Sequence, residues 1–324
     1  MSLTLSNLFA SPDHYLHSFT DGAAVFVPMD RDAYRRSVFL DDRIDSARVG
    51  SMRLSLEMLV GNAPQPGTTG WIFHVAHCGS TLLARALGEL GPNLVLREPL
   101  ALRQLALEPE LNHEVLAIEL AMLSKAYDPA ALTLVKANVP VNFILDAIAA
   151  QQSQAPAILL YLGLEDYLCA ILRSENHRKW LRGVSAQLSH HLGGAANQPD
   201  AELAARLWQA QIERFTAVLE EMPLARSLDA EAFYAEPAGI ISAAAQHFGI
   251  KADMATIADL VDGALFQTYS KRPGVAFNNA DRLARRNTAR ADLTGELTLA
   301  RRWLEDMGCD SSASLARLSE QALA

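Results

Sequence analysis

The chain contains few cysteines and fewer basic than acidic residues. Three cysteines occur among 324 residues and none forms a Cys-x-x-Cys pair, which argues against a disulfide framework. The 28 lysines and arginines against 37 aspartates and glutamates give a formal charge of −9, which argues against a nucleic-acid partner. No apolar run reaches the roughly 18 residues of a membrane span, and the first residues lack the regions of a secretory signal. We therefore expect a cytoplasmic protein with no membrane partner.

Apolar runs bounded by turn residues predict a series of buried strands from residue 70 onward. Four such runs occupy 71–76, 93–96, 131–138 and 157–163, and a fifth strand is expected near the start of 225–233. Helical patterns lie between and after the strands, at 79–90, 164–182, 200–222, 236–248, 253–265 and 289–307. Strands that alternate with helices are typical of a parallel α/β sheet with right-handed crossovers.

The first part of the chain has weaker patterns than the rest. A short strand is predicted at 23–29 and a helix with polar ends at 30–44. Pro64, Pro66 and Gly67 indicate a loop before the main pattern begins. We therefore expect an irregular or α+β extension over residues 1–66 and a single α/β domain over residues 67–324.

The stretch HVAHCGST, residues 74–81, joins a predicted strand directly to a predicted helix. Free backbone N–H groups at the beginning of a helix point toward one place, and the helix dipole adds positive potential there. Gly79 lets an oxyanion approach the backbone, and Ser80 and Thr81 add hydroxyl donors. This arrangement predicts an anion site, with phosphate as its usual ligand.

The usual nucleotide-triphosphate loop, G-x-x-x-x-G-K-[ST], fits this stretch poorly. With Gly79 as the second glycine, His74 replaces the first glycine and Ser80 replaces the lysine. A standard magnesium-dependent nucleotide triphosphatase is therefore disfavoured, although Thr81 does occupy the magnesium-binding Ser/Thr position.

The stretch resembles the 5′-phosphosulfate loop of the sulfotransferases that use 3′-phosphoadenosine 5′-phosphosulfate (PAPS). That loop has the pattern [KR]-S-G-T-T before an apolar helix, and this chain has His-Cys-Gly-Ser-Thr at 77–81. The glycine, the following hydroxyl pair and the preceding apolar strand are shared, whereas His77 stands where the family has Lys or Arg. The resemblance implies a P-loop-type three-layer α/β fold, with a central parallel sheet of about five strands and additional helices, and a PAPS donor that needs no metal.

Other segments extend the resemblance from about residue 70 to residue 310. Glu98 follows the second strand about twenty residues beyond His77, where family members carry a carboxylate placed to take a proton from an acceptor hydroxyl. Lys136 ends the third strand, where family members often carry a lysine. The segment LARRWLEDMG, residues 299–308, is similar to the closing helix of bacterial members.

The family's ligands for the 3′-phosphate are replaced in this chain. Leu162 and Ala170 occupy the positions of the family's Arg and Ser. The candidate replacements are Arg173, Ser174, Lys271 and Arg272.

The resemblance implies sulfuryl transfer to a hydroxyl of a small acceptor molecule. In this hypothesis the backbone of residues 78–81 holds the 5′-phosphate and Glu98 is the general base. Protonated His77 or Lys136 neutralises the charge of the leaving group. If His77 supplies that charge, activity should fall above neutral pH, since imidazole has an unperturbed pKa near 6.5.

Two other functions stay open. Thr81 at the magnesium-binding position favours an ATP-dependent small-molecule kinase or another nucleotide-dependent group transferase. The missing Arg/Ser pair and the His-for-Lys change at residue 77 favour a non-catalytic nucleotide- or partner-binding protein.

Several residues near the motif have simpler interpretations. We expect His74 to be a core histidine and Cys78 to be a small filler whose backbone N–H belongs to the anion site. Arg97 is either an ion-pair partner of Glu98 or faces solvent. The segment 269–277 is either a lid over the nucleotide or a surface loop.

Overall fold

The N-terminal part of the chain forms a three-stranded antiparallel sheet with short helices. The structure is a computed structural model that describes residues 4–194 and 198–324, without the side chains of Arg272 and Pro273. Its first elements are α1 (Leu5–Ala10), β1 (His14–Thr20), β2 (Ala23–Pro28), α2 (Arg31–Arg36), β3 (Met52–Ser55) and α3 (Leu56–Val60). Asp21 and Gly22 join β1 to β2 with φ values of 49° and 71°, the left-handed pair that suits a two-residue hairpin. The strand predicted at 23–29 is confirmed.

Five parallel strands form the central sheet. These strands and the helices around them are, in chain order, β4 (Thr69–His74), α4 (Ser80–Glu89), β5 (Val95–Arg97), α5 (Leu100–Leu107), α6 (His113–Leu123), β6 (Thr133–Lys136), a 3₁₀ segment (Val139–Ile144), α7 (Leu145–Gln151), β7 (Ala157–Tyr161), α8 (Leu164–Leu172), α9 (Glu175–Gln187), α10 (Asp200–Glu221), β8 (Ala225–Asp229), α11 (Ala230–Ala235), α12 (Pro237–His247) and α13 (Met254–Asp262). The strand order is β5-β6-β4-β7-β8, so the first strand is central and the chain extends to both sides of it. Every residue of β4, β6 and β7 is buried, as expected for parallel strands covered on both faces. The predicted fold class, α/β with a central parallel sheet of five strands and additional helices, is confirmed.

The C-terminal part adds a small hairpin and three helices. These elements are β9 (Thr268–Tyr269), β10 (Arg272–Ala276), α14 (Asn279–Asp292), α15 (Thr294–Asp306) and α16 (Ser311–Glu320). α14 contacts α8, α15 packs along α10, and α16 contacts both α10 and β8. Within the described ranges, no helix is long and apolar enough to cross a bilayer.

Segments from outside the central sheet bind both of its outer strands. On one side, Ser227 of β8 forms a parallel bridge with Ala322, and the Leu323 N–H donates to the Ser227 carbonyl at 2.9 Å. On the other side, the Leu40 N–H donates to the Arg97 carbonyl of β5 at 2.7 Å.

Three helices predicted from the sequence have different bounds in the structure. The single helix predicted at 164–182 is wrong, because Ser174 separates α8 from α9 and its hydroxyl accepts the His177 N–H at the beginning of α9. The helix predicted at 289–307 is divided between α14 and α15 at Leu293. The helix predicted at 30–44 ends at Arg36.

Arg97, the last residue of β5, explains why α2 ends early. The residue is only 6% exposed, and its guanidinium donates to carbonyls at the end of α2 and just beyond, those of Tyr34, Arg35, Ser37 and Val38. Carbonyls at a helix C-terminus lack partners within the helix, so Arg97 supplies donors that α2 needs. Both simple interpretations of Arg97 are therefore wrong, since it neither pairs with Glu98 nor faces solvent.

Replacing Arg97 should destabilise the fold, because Arg97→Met leaves several buried carbonyls without donors. One such group costs about 1–3 kcal/mol, so we expect the free energy of unfolding in urea to fall by about 2–4 kcal/mol. Arg35→Met, in the same helix but with an exposed side chain, is the control and should change it by less than about 0.5 kcal/mol. A loss below about 1 kcal/mol for Arg97→Met would mean that water satisfies these carbonyls.

Candidate functional site

The chain leaves β4 through a loop with an unusual backbone, called here the anion loop (residues 75–81). Ala76, His77 and Gly79 have φ values of 77°, 52° and 89°. Such left-handed conformations cost about 1–3 kcal/mol for a non-glycine residue and cluster at functional sites. The Ala76 N–H donates to Nδ1 of buried His74 at 3.0 Å, so His74 is a core histidine, as predicted, and also holds the bend. Loops of this kind turn backbone N–H groups toward one concave side, where anions bind.

The first turn of α4 contains an unsatisfied hydroxyl. Gly79 occupies the N-cap position, where no side chain caps the helix. The hydroxyl of Thr81 is buried and has no hydrogen-bond partner among the described residues. A buried polar group without a partner is costly, so this hydroxyl indicates a ligand that completes it. An oxyanion at the beginning of α4 is such a ligand.

The side chain of Tyr234 packs against Gly79 of the anion loop. A Cβ atom at Gly79 would lie 2.8 Å from the Tyr234 hydroxyl, so only glycine fits there. The other side of the ring lies under the guanidinium of Arg282, 4.1 Å from the ring centroid. The Tyr234 hydroxyl is therefore next to the backbone of the anion loop. Tyr234 belongs to no motif in the sequence, and only the tertiary structure identifies it.

Glu98 and Lys136 form an ion pair at the carboxyl ends of β5 and β6. The Lys136 side chain is fully buried, while that of Glu98 is 18% exposed. Glu98 has a φ of 56°, and its N–H donates to the Lys136 carbonyl at 2.7 Å. Burial lowers the pKa of Lys136, and the nearby Glu98 carboxylate opposes that shift. Two residues predicted from separate segments thus form a contact, in which the Glu98 carboxylate is partly exposed and the Lys136 ammonium is buried.

Further cations surround the ring of buried Phe39 beside this pair. The ammonium groups of Lys136 and Lys271 lie 5.5 Å and 5.7 Å from the Phe39 ring centroid, and the Arg43 guanidinium lies 4.2 Å from it. Lys271, from the hairpin of β9 and β10, forms no ion pair with a described residue. Neither Phe39 nor Arg43 is predicted by the sequence, because both come from its weakly patterned first part.

The surroundings of His77 disfavour its protonated form. Burial is the main reason that the pKa of His77 lies well below 6.5, and the positive charge of Lys271 lowers it further. The His77 ring also packs on the His177 ring, with centroids 4.1 Å apart. A cationic role for His77 stays a prediction, and these surroundings favour Lys136 and Lys271 as the cations of the site.

A pocket extends from His77 between α8, α11 and α14. Leu162 and Ala170, which replace the family's Arg and Ser, form part of its wall. Three guanidinium groups also line it, those of Arg173, Arg282 and Arg286. The pocket thus contains positive charge, but the arginines come from other positions in the chain than Leu162 and Ala170.

Carboxylates already bind two of these three arginines. Arg282 and Arg286 each contact the Glu231 carboxylate at 2.6 Å, and Arg286 also lies 3.4 Å from Asp166. Arg173 forms no ion pair or hydrogen bond with any described residue. Among the arginines of this pocket, Arg173 is therefore the one that an added anion can reach without displacing a carboxylate.

Of the other residues predicted to bind a cofactor, Ser174 and Cys78 have side chains that already contact the protein and are less available to a ligand. The Ser174 hydroxyl caps α9, and the Arg272 side chain lies outside the described residues. Cys78 is fully buried, its Sγ lies 3.9 Å from the Leu160 carbonyl, and burial raises the pKa of the thiol, as expected for a filler. In the described part of the chain, no group of three or more His, Cys, Asp or Glu side chains is arranged to hold a metal ion.

Comparisons with known proteins give distant matches only. No family model matches the chain, and no curated protein matches it significantly. Two solved structures each match 76% of this chain: a sulfotransferase from Alicyclobacillus acidocaldarius (14% identity, 98% of that chain, TM-score 0.38) and the sulfotransferase domain from the curacin biosynthetic pathway (10% identity, 99% of that chain, TM-score 0.42). At these TM-scores the similarity does not indicate what reaction this chain catalyses, so the proposal below is derived from the residues of its own site.

If Lys271 rather than His77 supplies the positive charge, Lys271 should contribute more to the affinity for a nucleotide phosphate. We expect Lys271→Gln to weaken AMP binding at pH 8 by about 10- to 100-fold, because it removes a charge-assisted contact worth about 1.5–3 kcal/mol. His77→Asn should change the affinity by less than about threefold, since it replaces a neutral ring. Calorimetry with the two variants measures both effects. A larger loss of AMP affinity for His77→Asn than for Lys271→Gln would indicate that His77 is the cation.

Proposed function

We propose that this protein is a sulfotransferase that moves a sulfuryl group from a nucleotide 5′-phosphosulfate to a hydroxyl of a small acceptor. One observation carries the proposal: the carboxylate of Glu98, paired with Lys136, lies at the same sheet edge as the anion loop. Ligands of open α/β sheets bind at this edge, beyond the carboxyl ends of the strands. An in-line transfer to a hydroxyl requires a base and an oxyanion site that face the same space, and here they follow β5 and β4, which are separated by β6 alone.

The residues present fit a PAPS donor well at its 5′ end. The backbone N–H groups of residues 78–81 and the unpartnered Thr81 hydroxyl would hold the 5′-phosphate. Arg173 would be the contact for the 3′-phosphate, because Leu162 and Ala170 offer no polar group. When bound, the donor supplies an activated sulfuryl group attached to a phosphate oxygen.

In the proposed mechanism, Glu98 takes the proton of the acceptor hydroxyl as that oxygen forms its bond to sulfur. Lys136 holds the Glu98 carboxylate in place and offsets the negative charge that accumulates at the sheet edge. Lys271 and the Thr81 hydroxyl stabilise the electron pair left on the phosphate oxygen when its bond to sulfur breaks. The Phe39 ring lies near both ammonium groups, 5.5 Å and 5.7 Å from its centroid, and stabilises their positive charge.

Nucleotide binding distinguishes this proposal from the two alternatives. In calorimetric titrations, we expect adenosine 3′,5′-bisphosphate to bind at least about tenfold more tightly than AMP or ATP, since it adds a charged contact to Arg173. Arg173→Gln should remove most of this preference and leave AMP affinity nearly unchanged. Equal and weak binding of all three nucleotides would contradict the proposal. Tight ATP binding that requires Mg²⁺, with turnover, would select a kinase.

Glu98→Gln tests the base, because the amide keeps a hydrogen bond to Lys136 but cannot take a proton. We expect turnover of the sulfuryl donor to fall by about 10²- to 10⁴-fold, while affinity for the bisphosphate stays within about threefold. Glu108→Gln, at an exposed position after α5, is the matched control and should retain full turnover. Tight binding with no transfer to any acceptor in the unaltered protein would instead favour the non-catalytic alternative.

A further inference from the structure

A second basic pocket, called here the arginine pocket, lies between α2, α4 and β5. Its polar lining consists mainly of arginines, and the residues used below are Arg31, Arg35, Arg85, Glu89, Asn93 and Arg97. Arg97 and Glu98 are neighbours in the chain, but the Arg97 guanidinium turns to the end of α2 whereas the Glu98 carboxylate meets Lys136. The arginine pocket is therefore separate from the anion loop.

The charges of the arginine pocket are not balanced within the protein. Four guanidinium groups face one carboxylate, that of Glu89, in a chain whose formal charge is −9. Arg31 and Arg85 donate only to the carbonyls of Pro92 and Ser270, at 3.1 Å and 2.9 Å, and form no ion pair with a described residue. Carbonyl oxygens satisfy donors but do not neutralise charge.

Arg35 and Arg97, which both line the arginine pocket, leave donors available. The nearest carboxylate to Arg35 is that of Asp32, 4.0 Å away and highly exposed, a kind of contact that contributes little. Arg97 uses Nε and Nη2 for the carbonyls at the end of α2, and its Nη1 has no partner among the described residues. Burial lowers the pKa of Arg97 to about 10, and the positive charge of Arg85 contributes to the shift. A nearby anion would relieve this repulsion.

We propose that the arginine pocket binds a tetrahedral oxyanion, either a free sulfate or phosphate ion or the phosphate group of a small ester, through Arg35, Arg85 and Arg97. Planar guanidinium groups match such anions with paired N–H donors, and three of them converge on this pocket. Arg31 and Asn93 also line the pocket, although each already donates a hydrogen bond to a backbone carbonyl, Arg31 to Pro92 and Asn93 to Leu132. This site is independent of the proposed sulfuryl transfer.

Sulfate titration of the full chain tests the proposal, with ionic strength held constant by sodium chloride because surface charge effects depend on it. We expect calorimetry to show two sulfate ions per chain, one on the anion loop and one in the arginine pocket. Arg35→Glu should weaken one of the two sites by at least about tenfold, and Lys271→Gln should weaken the other. Arg36→Glu, the adjacent exposed residue outside the pocket, controls for the general change of charge and should leave both sites within about twofold.

Two results would overturn the proposal. One is a single sulfate site that Lys271→Gln abolishes and Arg35→Glu does not affect. The other is an equal loss of affinity for Arg35→Glu and Arg36→Glu. Because Arg35 is exposed, its substitution should leave the thermal unfolding temperature unchanged, and Arg85→Gln provides a second variant from another element. Titration with inorganic phosphate and with glycerol 3-phosphate identifies the source, since the tighter ligand marks the pocket as specific for the free ion or the ester.

Discussion

The left-handed bend after β4 is the constraint on which the candidate site depends. Ala76 and His77 hold positive φ values without being glycine, which costs about 1–3 kcal/mol each. Buried β4 before the bend and the leucine-rich face of α4 after it anchor both ends, so the packing of the core outweighs this cost. As a result, the bend is already formed in the folded chain, so the proposed anion would need little ordering of the loop to bind.

Local charge at this edge is opposite in sign to the charge of the whole chain. Four cations lie near the anion loop, the Phe39 ring or the pocket beside it, namely Lys136, Lys271, Arg43 and Arg173. Lys136 is paired with Glu98 and Arg43 with Asp41, which leaves Lys271 and Arg173 without an ion-pair partner among the described residues. A concave site of one sign with apolar walls concentrates its field, so an acidic protein can still attract an anionic ligand. The neutral state of His77 has the same origin, because burial and neighbouring cations both disfavour its protonation.

The sequence predicts the sheet better than it predicts the contacts around the site. Parallel strands buried on both faces leave long apolar runs, which is why the strands were recognisable and why Glu98 and Lys136 could be assigned to one edge. The break at Ser174 was missed because a capping serine inside a charged helical pattern looks like one more surface residue. Phe39 and Tyr234 reach the site through long-range packing, which has no local pattern. The hydrogen bonds from Arg97 to the carbonyls at the end of α2 likewise depend on long-range packing and have no local pattern.

Backbone pairing at the two outer strands has a consequence for how the protein behaves at high concentration. β8 is joined at Ser227 by the segment around Ala322, and β5 is joined at Arg97 by Leu40, so each border of the sheet is paired in part with another segment. Open borders are the usual template for strand exchange and fibril growth between molecules. Loss of either covering segment would extend such a template, and loss of the segment around Leu40 would also remove Phe39 from beside Lys136, so we expect self-association after damage at either position.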